Sequence, residues 1–134
     1  MLEETTGRCF ACGPNNPIGL KLSFRFEGDE YVTEFTPGTH HQGYDDIVHG
    51  GLVATVLDEV MARMLWDRGF PFATAEMTVR YRAPLRVGTT ARFVARITRQ
   101  RDKMIEAEAE ALTEDGTVLA SAKGRFLPVR GLEP

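Results

Sequence analysis

The chain has 134 residues, enough for one domain with a substantial core but too few for two independent cores. Its 43% hydrophobic and 26% charged residues are typical of a globular protein, and a net charge of −3 without a basic stripe excludes nucleic-acid binding. No apolar run is long enough to cross a membrane, and the acidic start, Met1 to Glu4, is not a signal peptide. We therefore predict one cytoplasmic domain over residues 1–134, with an N-terminal turn over 1–17 and no membrane partner.

The N-terminal turn contains a Cys-x-x-Cys pair, Cys9 and Cys12. One such pair is half of a zinc site, and no second pair of cysteines or histidines follows at zinc-finger spacing. Residues 13–17, rich in proline and asparagine, do not offer the helix start that a redox dithiol needs. We interpret the pair as reduced and partly buried, with zinc shared between subunits or a disulfide as alternatives. No metal ligand is predicted among the site residues.

Two strands are predicted next. Apolar residues alternate with polar ones from Leu20 to Glu27, and this period of two indicates a half-buried strand. Gly28-Asp29 is the turn, and Tyr31 to Phe35 return as the second strand. Residues 36–49 contain proline, glycine, histidine and aspartate without periodicity, so they are predicted as loop.

The strongest pattern predicts a helix from Leu52 to Leu65. Apolar residues recur there at helical spacing over four turns. They are Leu52, Val53, Val56, Leu57, Val60, Met61, Met64 and Leu65. Gly69-Phe70-Pro71 ends the helix.

Four further β-rich segments follow the helix, with a hairpin turn at Glu114-Asp115-Gly116. They are Ala73 to Ala83, Thr89 to Gln100, Met104 to Leu112 and Val118 to Leu127. Two strands, one helix and four strands joined by short turns predict an α+β fold with a largely antiparallel sheet. Because one helix covers only part of six strands that carry aliphatic residues on both faces, we expect a second subunit to bury the rest.

The start of the helix carries the candidate chemistry. His49-Gly50-Gly51 lets the backbone approach a ligand closely, and the helix that begins there presents unpaired N–H groups and the positive end of its dipole. His49 is interpreted as ordering this loop through hydrogen bonds, because no Gly-x-Ser-x-Gly elbow accompanies it as a catalytic base. His40, His41, Asp45 and Asp46 lie nearby but show no recognised metal-ligand spacing.

Two acids lie in the middle of the helix. Asp58 lies at the edge of the apolar arc without a basic neighbour, which suits a partly desolvated general base with a raised pKa. Glu59 lies on another side and precedes Arg63 by four residues, which predicts a solvated salt bridge.

Several stretches together resemble the hot-dog-fold acyl-CoA thioesterases. They are Cys9 to Leu20, His41-Gln42-Gly43, Ile47 to Gly51, Leu57-Asp58-Glu59, and Tyr81 to Leu85 followed by Gly88. The likeness covers about residues 8–128 and is greatest for the phenylacetate-pathway branch of the 4-hydroxybenzoyl-CoA thioesterase superfamily. A Gly-Gly helix start with an acid nine residues after the histidine is its most specific part.

The resemblance implies a curved antiparallel sheet of about six strands around one long central helix. It also implies a homodimer that pairs into a dimer of dimers, with active sites between two subunits and no cofactor. Asp58 would act as general base on a water or as a nucleophile forming a mixed anhydride. The N–H of Gly50, helped by Gly51, would polarise the thioester carbonyl.

The resemblance also supplies further site residues. Gly43 stands where the family often has Asn or Gln, so the adjacent Gln42 is the candidate amide. The family's small hydroxyl residue, contributed by the partner subunit, falls at Thr74. Candidate substrate-binding residues are Glu59 and three arginines suited to the phosphates of coenzyme A, Arg80, Arg82 and Arg86. Met61, Met64, Trp66 and Phe70 are core residues first and candidate acyl-tunnel residues second.

Two other functions fit the same pattern. A hot-dog hydratase or dehydratase would act on acyl thioesters, but it needs a histidine and an acid that converge on the substrate, and the surroundings of His49 and Asp58 lack that pattern. A non-catalytic acyl-CoA-binding module would sense the ligand, but the chain carries no DNA-binding segment for a stand-alone regulator.

Overall fold

The computed structural model describes residues 7–130. Met1 to Glu4, and the outer limits of the predicted 1–134 domain, lie outside that range. The elements are β1 (Phe24–Glu27), β2 (Glu30–Phe35), α1 (Gly50–Asp67), β3 (Phe72–Tyr81), β4 (Ala91–Arg101), β5 (Met104–Leu112) and β6 (Val118–Pro128). A single 3₁₀ turn, Thr39–His41, lies in the loop before α1.

The six strands form one sheet in the order β1-β2-β4-β5-β6-β3, and every neighbouring pair is antiparallel. The sheet curves around α1, which contacts all of its strands from β2 to β6. The predicted α+β class and hot-dog architecture are therefore confirmed. The topology leaves β3 at one end of the sheet, with β6 as its only neighbour among the described strands.

Helix α1 is the centre of the core because its apolar residues recur on one broad face. Those that are buried are Val53, Val56, Leu57, Val60, Met61, Met64 and Leu65. The helix ends where Gly69 adopts a left-handed backbone with φ of 91°, as expected from the predicted stop. Within residues 7–130, no helix is both long and apolar enough to cross a membrane.

Strand β5 shows how closely the sheet approaches the helix. Ile105, Ala107, Ala109 and Ala111 alternate towards the core, and the small alanines allow α1 to pack near the backbone. The opposite face of β5 carries glutamates, among them Glu108, which pairs with Arg96 at 3.1 Å. The expectation of aliphatic residues on both faces is therefore wrong for this strand.

Several element limits differ from the predictions by one to four residues, and the start of β1 differs most. Strand β1 begins at Phe24 rather than Leu20, because Lys21 adopts a positive φ of 54° that interrupts the extended backbone. Strand β3 ends at Tyr81, so Arg82 and Ala83 lie beyond it, although their N–H groups still donate to the carbonyl of Leu119.

The N-terminal segment, residues 7–22, packs onto the domain through Ala11 and Leu22, which are both buried. It folds back on itself, since the N–H of Leu22 donates to the carbonyl of Ala11 at 2.9 Å. This packing brings the Cys-x-x-Cys turn against α1, with the thiol of Cys9 3.8 Å from the carboxylate of Glu59.

Candidate active site

The first turn of α1 leaves one backbone donor uncommitted. His49 is the N-cap residue, and its Nδ1 accepts the N–H of Gly51 at 2.8 Å. The carbonyl of His49 accepts the N–H of Leu52 at 2.9 Å. The N–H of His49 donates to the carbonyl of His41, also at 2.9 Å. The N–H of Gly50 donates to no acceptor within residues 7–130. His49 thus orders this loop as predicted, while Gly51 has a partner that Gly50 lacks.

Tyr81, which the sequence analysis did not single out as a site residue, fixes the position of Gly50. Its hydroxyl, at the end of β3, donates to the Gly50 carbonyl at 2.6 Å. A Cβ on Gly50 would lie 3.4 Å from the Tyr81 ring, which is ordinary contact. This contact joins residues 31 apart in sequence, so no local pattern could have revealed it.

An apolar cavity of about 200 Å³ opens beside Gly50 and Tyr81. Its other walls come from the loop before the helix, the turn after β3, and strands β5 and β6. They include Ile47, Leu85 and Leu119, and Val53 of α1 lines the cavity as well. The residues suggested for an acyl tunnel lie elsewhere: Met61 and Met64 are fully buried core residues, and Phe70 packs on the edge of that core.

Asp58 is held by a short hydrogen bond from β3. The hydroxyl of Thr74 donates to Oδ1 of Asp58 at 2.6 Å, and both residues retain solvent access. Thr74 was expected to face the acid from a partner subunit, but it lies against Asp58 of its own chain. The arrangement fixes one carboxylate oxygen and leaves the other, Oδ2, without a hydrogen-bond donor in the described residues.

Gly50 and Asp58 are both on α1, but they are not close to each other. Eight residues separate them, which corresponds to ~12 Å along the helix axis at 1.5 Å per residue. A carbonyl oxygen bound by an N–H lies about 3 Å from it, and the attacking atom must come within about 3–3.5 Å of the same carbonyl. The two groups of one chain therefore cannot act together on one carbonyl.

Gln42 lies in the loop that supports the helix start. Its side-chain oxygen accepts the N–H of Asp46 at 2.8 Å, which leaves its amide N–H groups available. Gly43 lies against His49, and a Cβ there would be 3.3 Å from the His49 Cα. A side chain at this position would therefore require a shift of a few tenths of an ångström at His49.

Glu59 does not form the predicted salt bridge. Arg63 pairs instead with Asp67 at 3.1 Å, one turn later on the helix. The Glu59 carboxylate is partly buried against the N-terminal segment and accepts from the Cys9 thiol at 3.8 Å. Burial raises the pKa of Glu59, although hydrogen bonds from the cysteines, Cys12 first, oppose the shift. Burial and the neighbouring Glu59 carboxylate likewise raise the pKa of Cys12.

The three candidate phosphate ligands are all exposed. Arg80 and Arg82 pair with no acid among the described residues, and Arg82 lies just past the end of β3. Arg86 lies 3.5 Å from Asp46, a long contact between two side chains that are more than half exposed. All three guanidinium groups are thus accessible to a ligand.

Comparison with known proteins identifies the family. Residues 46–120, more than half of the chain, match the model of the thioesterase superfamily. Acyl-coenzyme A thioesterase 13 of Mus musculus is 29% identical over 99 residues, which cover 72% of this chain and 70% of the mouse protein.

Solved structures share the fold. One thioesterase superfamily protein superposes with a TM-score of 0.81 at 24% identity over 90% of this chain, although the chain spans only 60% of that protein. The E. coli PaaI protein from the phenylacetic acid degradation operon superposes with a TM-score of 0.77 at 17% identity, over 84% of this chain and 83% of PaaI.

Proposed function

The chain belongs to the thioesterase superfamily, and from this premise we propose that it hydrolyses an acyl-CoA thioester to the free acid and coenzyme A. The observation that carries the proposal is the uncommitted N–H of Gly50, at a helix N-terminus and beside an apolar cavity. Such a donor suits a polar carbonyl oxygen attached to an apolar acyl group. The mouse relative named above is an acyl-coenzyme A thioesterase.

In the proposed reaction the Gly50 N–H binds the carbonyl oxygen as it becomes an oxyanion. A donor of this kind contributes about 3 kcal/mol to the transition state. Asp58 takes a proton from the attacking water, or attacks the carbonyl itself to form a mixed anhydride that water then opens. Either route breaks the bond between carbonyl carbon and sulfur, and the thiolate leaves as coenzyme A.

The site that we propose contains two subunits, since Gly50 and Asp58 of one chain are ~12 Å apart. Strand β3 supports this arrangement because it is ten residues long and ends the sheet, and such an edge readily pairs with another strand. Thr74, near its start, holds Asp58, and Tyr81, at its end, holds Gly50. Antiparallel pairing of two β3 strands brings the start of one opposite the end of the other.

The remaining residues complete the proposal. The exposed guanidinium groups of Arg80, Arg82 and Arg86 bind the phosphates of coenzyme A near the end of β3. The amide N–H groups of Gln42 orient the water or the carbonyl, and Glu59 lies next to the base. The homodimer assembles further into a dimer of dimers. A cytoplasmic location agrees with the free thiols of Cys9 and Cys12.

The test is release of free thiol from a panel of aromatic, short and long acyl-CoAs, with Asp58→Asn measured beside the wild type. We expect turnover of at least one thioester, and a loss of about 100-fold or more in the variant with folding retained, because general bases contribute 10²–10⁴-fold. Wild-type turnover by Asp58→Asn would contradict the mechanism. Hydration of a crotonyl thioester without thiol release, or tight binding without any reaction, would contradict the function.

A further inference from the structure

The N-terminal segment brings two thiols to a carboxylate on the central helix. We call Cys9, Cys12 and Glu59 the cysteine–glutamate cluster, because one ligand atom of each lies within 4.8 Å of the other two. The Cys9 Sγ is 3.8 Å from Oε2 of Glu59. The two elements that meet here are 50 residues apart in sequence, so the cluster arises only through folding.

The spacing of these atoms is close to that of a tetrahedral zinc site. Bond lengths of about 2.3 Å to sulfur and 2.0–2.2 Å to oxygen place a sulfur and an oxygen ligand roughly 3.5–3.7 Å apart, and two sulfur ligands about 3.8 Å apart. The distance between the Cys9 sulfur and the Glu59 oxygen, 3.8 Å, is only slightly longer than this. The other two separations are within 4.8 Å, so side-chain rotations that shorten them by up to about 1 Å bring the three atoms to tetrahedral spacing.

The turn that carries the cysteines is rigid and aims both sulfurs to one side. The N–H of Cys12 donates to the Cys9 Sγ at 3.4 Å, and the N–H of Gly13 donates to the Cys9 carbonyl at 2.8 Å. A Cβ on the buried Gly13 would lie 2.4 Å from the Cys9 nitrogen, so the turn admits only glycine there. A fixed turn lowers the entropy that ligands lose when they bind a metal.

The third ligand, Glu59, forms no ion pair with any residue in the range 7–130. Glu59 is partly buried, and Arg63, the base nearest along the helix, is engaged by Asp67. Buried carboxylates are generally paired or bound to metals. A divalent cation between the two sulfurs and Glu59 would contact the carboxylate directly, whereas the charge of Arg63 acts on Glu59 without forming an ion pair with it.

We propose that Cys9, Cys12 and Glu59 bind one Zn²⁺ ion, with a water molecule as the fourth ligand. Each thiol releases its proton to solvent as its sulfur bonds to the metal, so two thiolates and one carboxylate surround the ion. The site links the N-terminal segment to α1 at the residue next to Asp58. It thereby stabilises the position of the segment, and zinc binding contributes to the free energy of folding.

The test measures bound zinc in the full chain without a histidine tag, loaded with equimolar Zn²⁺ under reducing conditions and then dialysed. We expect about one zinc per chain in the wild type, as for a specific site of three protein ligands and one water. Cys12→Ser and Glu59→Gln should lose the bound zinc. Asp58→Asn is the matched control: it removes the neighbouring carboxylate, which is not a ligand, and should retain the metal.

A second measurement does not depend on stable folding of the variants. Titration of the metal-free wild type with Co²⁺ should produce thiolate-to-cobalt charge-transfer absorption, and zinc should reduce hydrogen exchange in residues 9–22. Failure of the wild type to retain zinc, equal retention by Cys12→Ser, or loss from Asp58→Asn would each overturn the proposal. Formation of a Cys9–Cys12 disulfide under these reducing conditions would also overturn it.

Discussion

The hydroxyl of Thr74 donates to Oδ1 of Asp58 at 2.6 Å within one chain, and so ties the middle of α1 to the edge strand β3. Because one carboxylate oxygen is fixed, the direction in which the other oxygen points is limited. The candidate base thus owes its orientation to a residue whose own strand is the proposed subunit interface.

Removing the Thr74 hydroxyl should leave the Asp58 carboxylate in place but less well oriented. For Thr74→Val we expect kcat to fall roughly ten- to hundredfold with little change in KM, because a hydrogen bond to a charged group contributes about 1.5–3 kcal/mol. Thr74→Ser keeps the donor and should recover most of the rate. Steady-state thiol release measures both constants, and equal kcat in the Val and Ser variants would contradict the positioning role.

The role of the Gly50 N–H can be isolated by one pair of substitutions. Gly50→Pro removes the N–H at the first helical position, where proline is tolerated, and His49 already has the extended conformation (φ −58°, ψ 129°) that precedes proline. We expect kcat to fall about 100- to 1000-fold. Gly50→Ala keeps the N–H, and its Cβ makes an ordinary contact with Tyr81, so most activity should remain. If both variants lose activity equally, the N–H is not the oxyanion donor.

A site that contains two subunits predicts complementation. Asp58→Asn and Gly50→Pro are each inactive alone, but a mixed dimer has one intact site, with Gly50 from the first chain and Asp58 from the second. Free exchange of subunits at equal concentrations should restore about a quarter of wild-type activity, since half of the dimers are mixed and each has one working site of two. No recovery after confirmed exchange would assign the site to a single chain.

The exposed arginines should affect recognition of coenzyme A rather than the chemical step. Arg80→Gln and Arg82→Gln should each raise KM for an acyl-CoA by a factor of roughly 1.4 to 5, the effect of 0.2–1 kcal/mol expected for an exposed ion pair. A short thioester without phosphate groups should be insensitive to both changes. Arg96→Gln, on a pair with Glu108 at the outer face of the sheet, is the matched control. Equal effects on the two kinds of substrate would exclude phosphate binding.

Stability should fall below neutral pH, in part through His41. Burial, and to a lesser extent the neighbouring His40, lowers the pKa of His41 in the folded state, and its Nδ1 accepts the N–H of Gly38 at 2.9 Å. The unfolded chain therefore binds more protons, so this contribution is present above the ordinary value of 6.5 and is lost as pH falls through the folded pKa. Urea unfolding at pH 7.5 and 5.5 measures how much the free energy of unfolding decreases between these two values. The decrease should be smaller for His41→Asn than for the wild type, because asparagine can still accept a hydrogen bond from Gly38 but does not titrate. If the free energy of unfolding decreases equally in His41→Asn and in the wild type, groups other than His41 cause the decrease.

Local patterns predicted most of the fold. The helical period identified α1 within two residues at either end, and the turn at Gly116 has the positive φ of 88° that its glycine suggested. His49 was correctly expected to order its loop. These features depend on neighbours in sequence, where periodicity and turn chemistry are informative.

The errors concern choices that only tertiary contacts decide. Arg63 has an acid four residues before it and another four residues after it, and the spacing alone cannot select Asp67 over Glu59. For Thr74, the family resemblance indicated a contribution from a partner subunit, whereas its hydrogen bond to Asp58 of the same chain depends on how β3 packs against α1. The contact between Cys9 and Glu59 joins residues that are 50 positions apart in sequence, so no local sequence pattern predicts it.

Because Gly50 and Asp58 of one chain are ~12 Å apart, the specific activity should depend on the protein concentration. An isolated chain holds both reactive groups in position but cannot bring them to the same carbonyl. Specific activity should therefore decline when the protein is diluted below the dissociation constant of its dimer, and newly made chains should stay inactive until they meet a second copy. On the proposed mechanism, formation of the dimer is the step that makes the chain active.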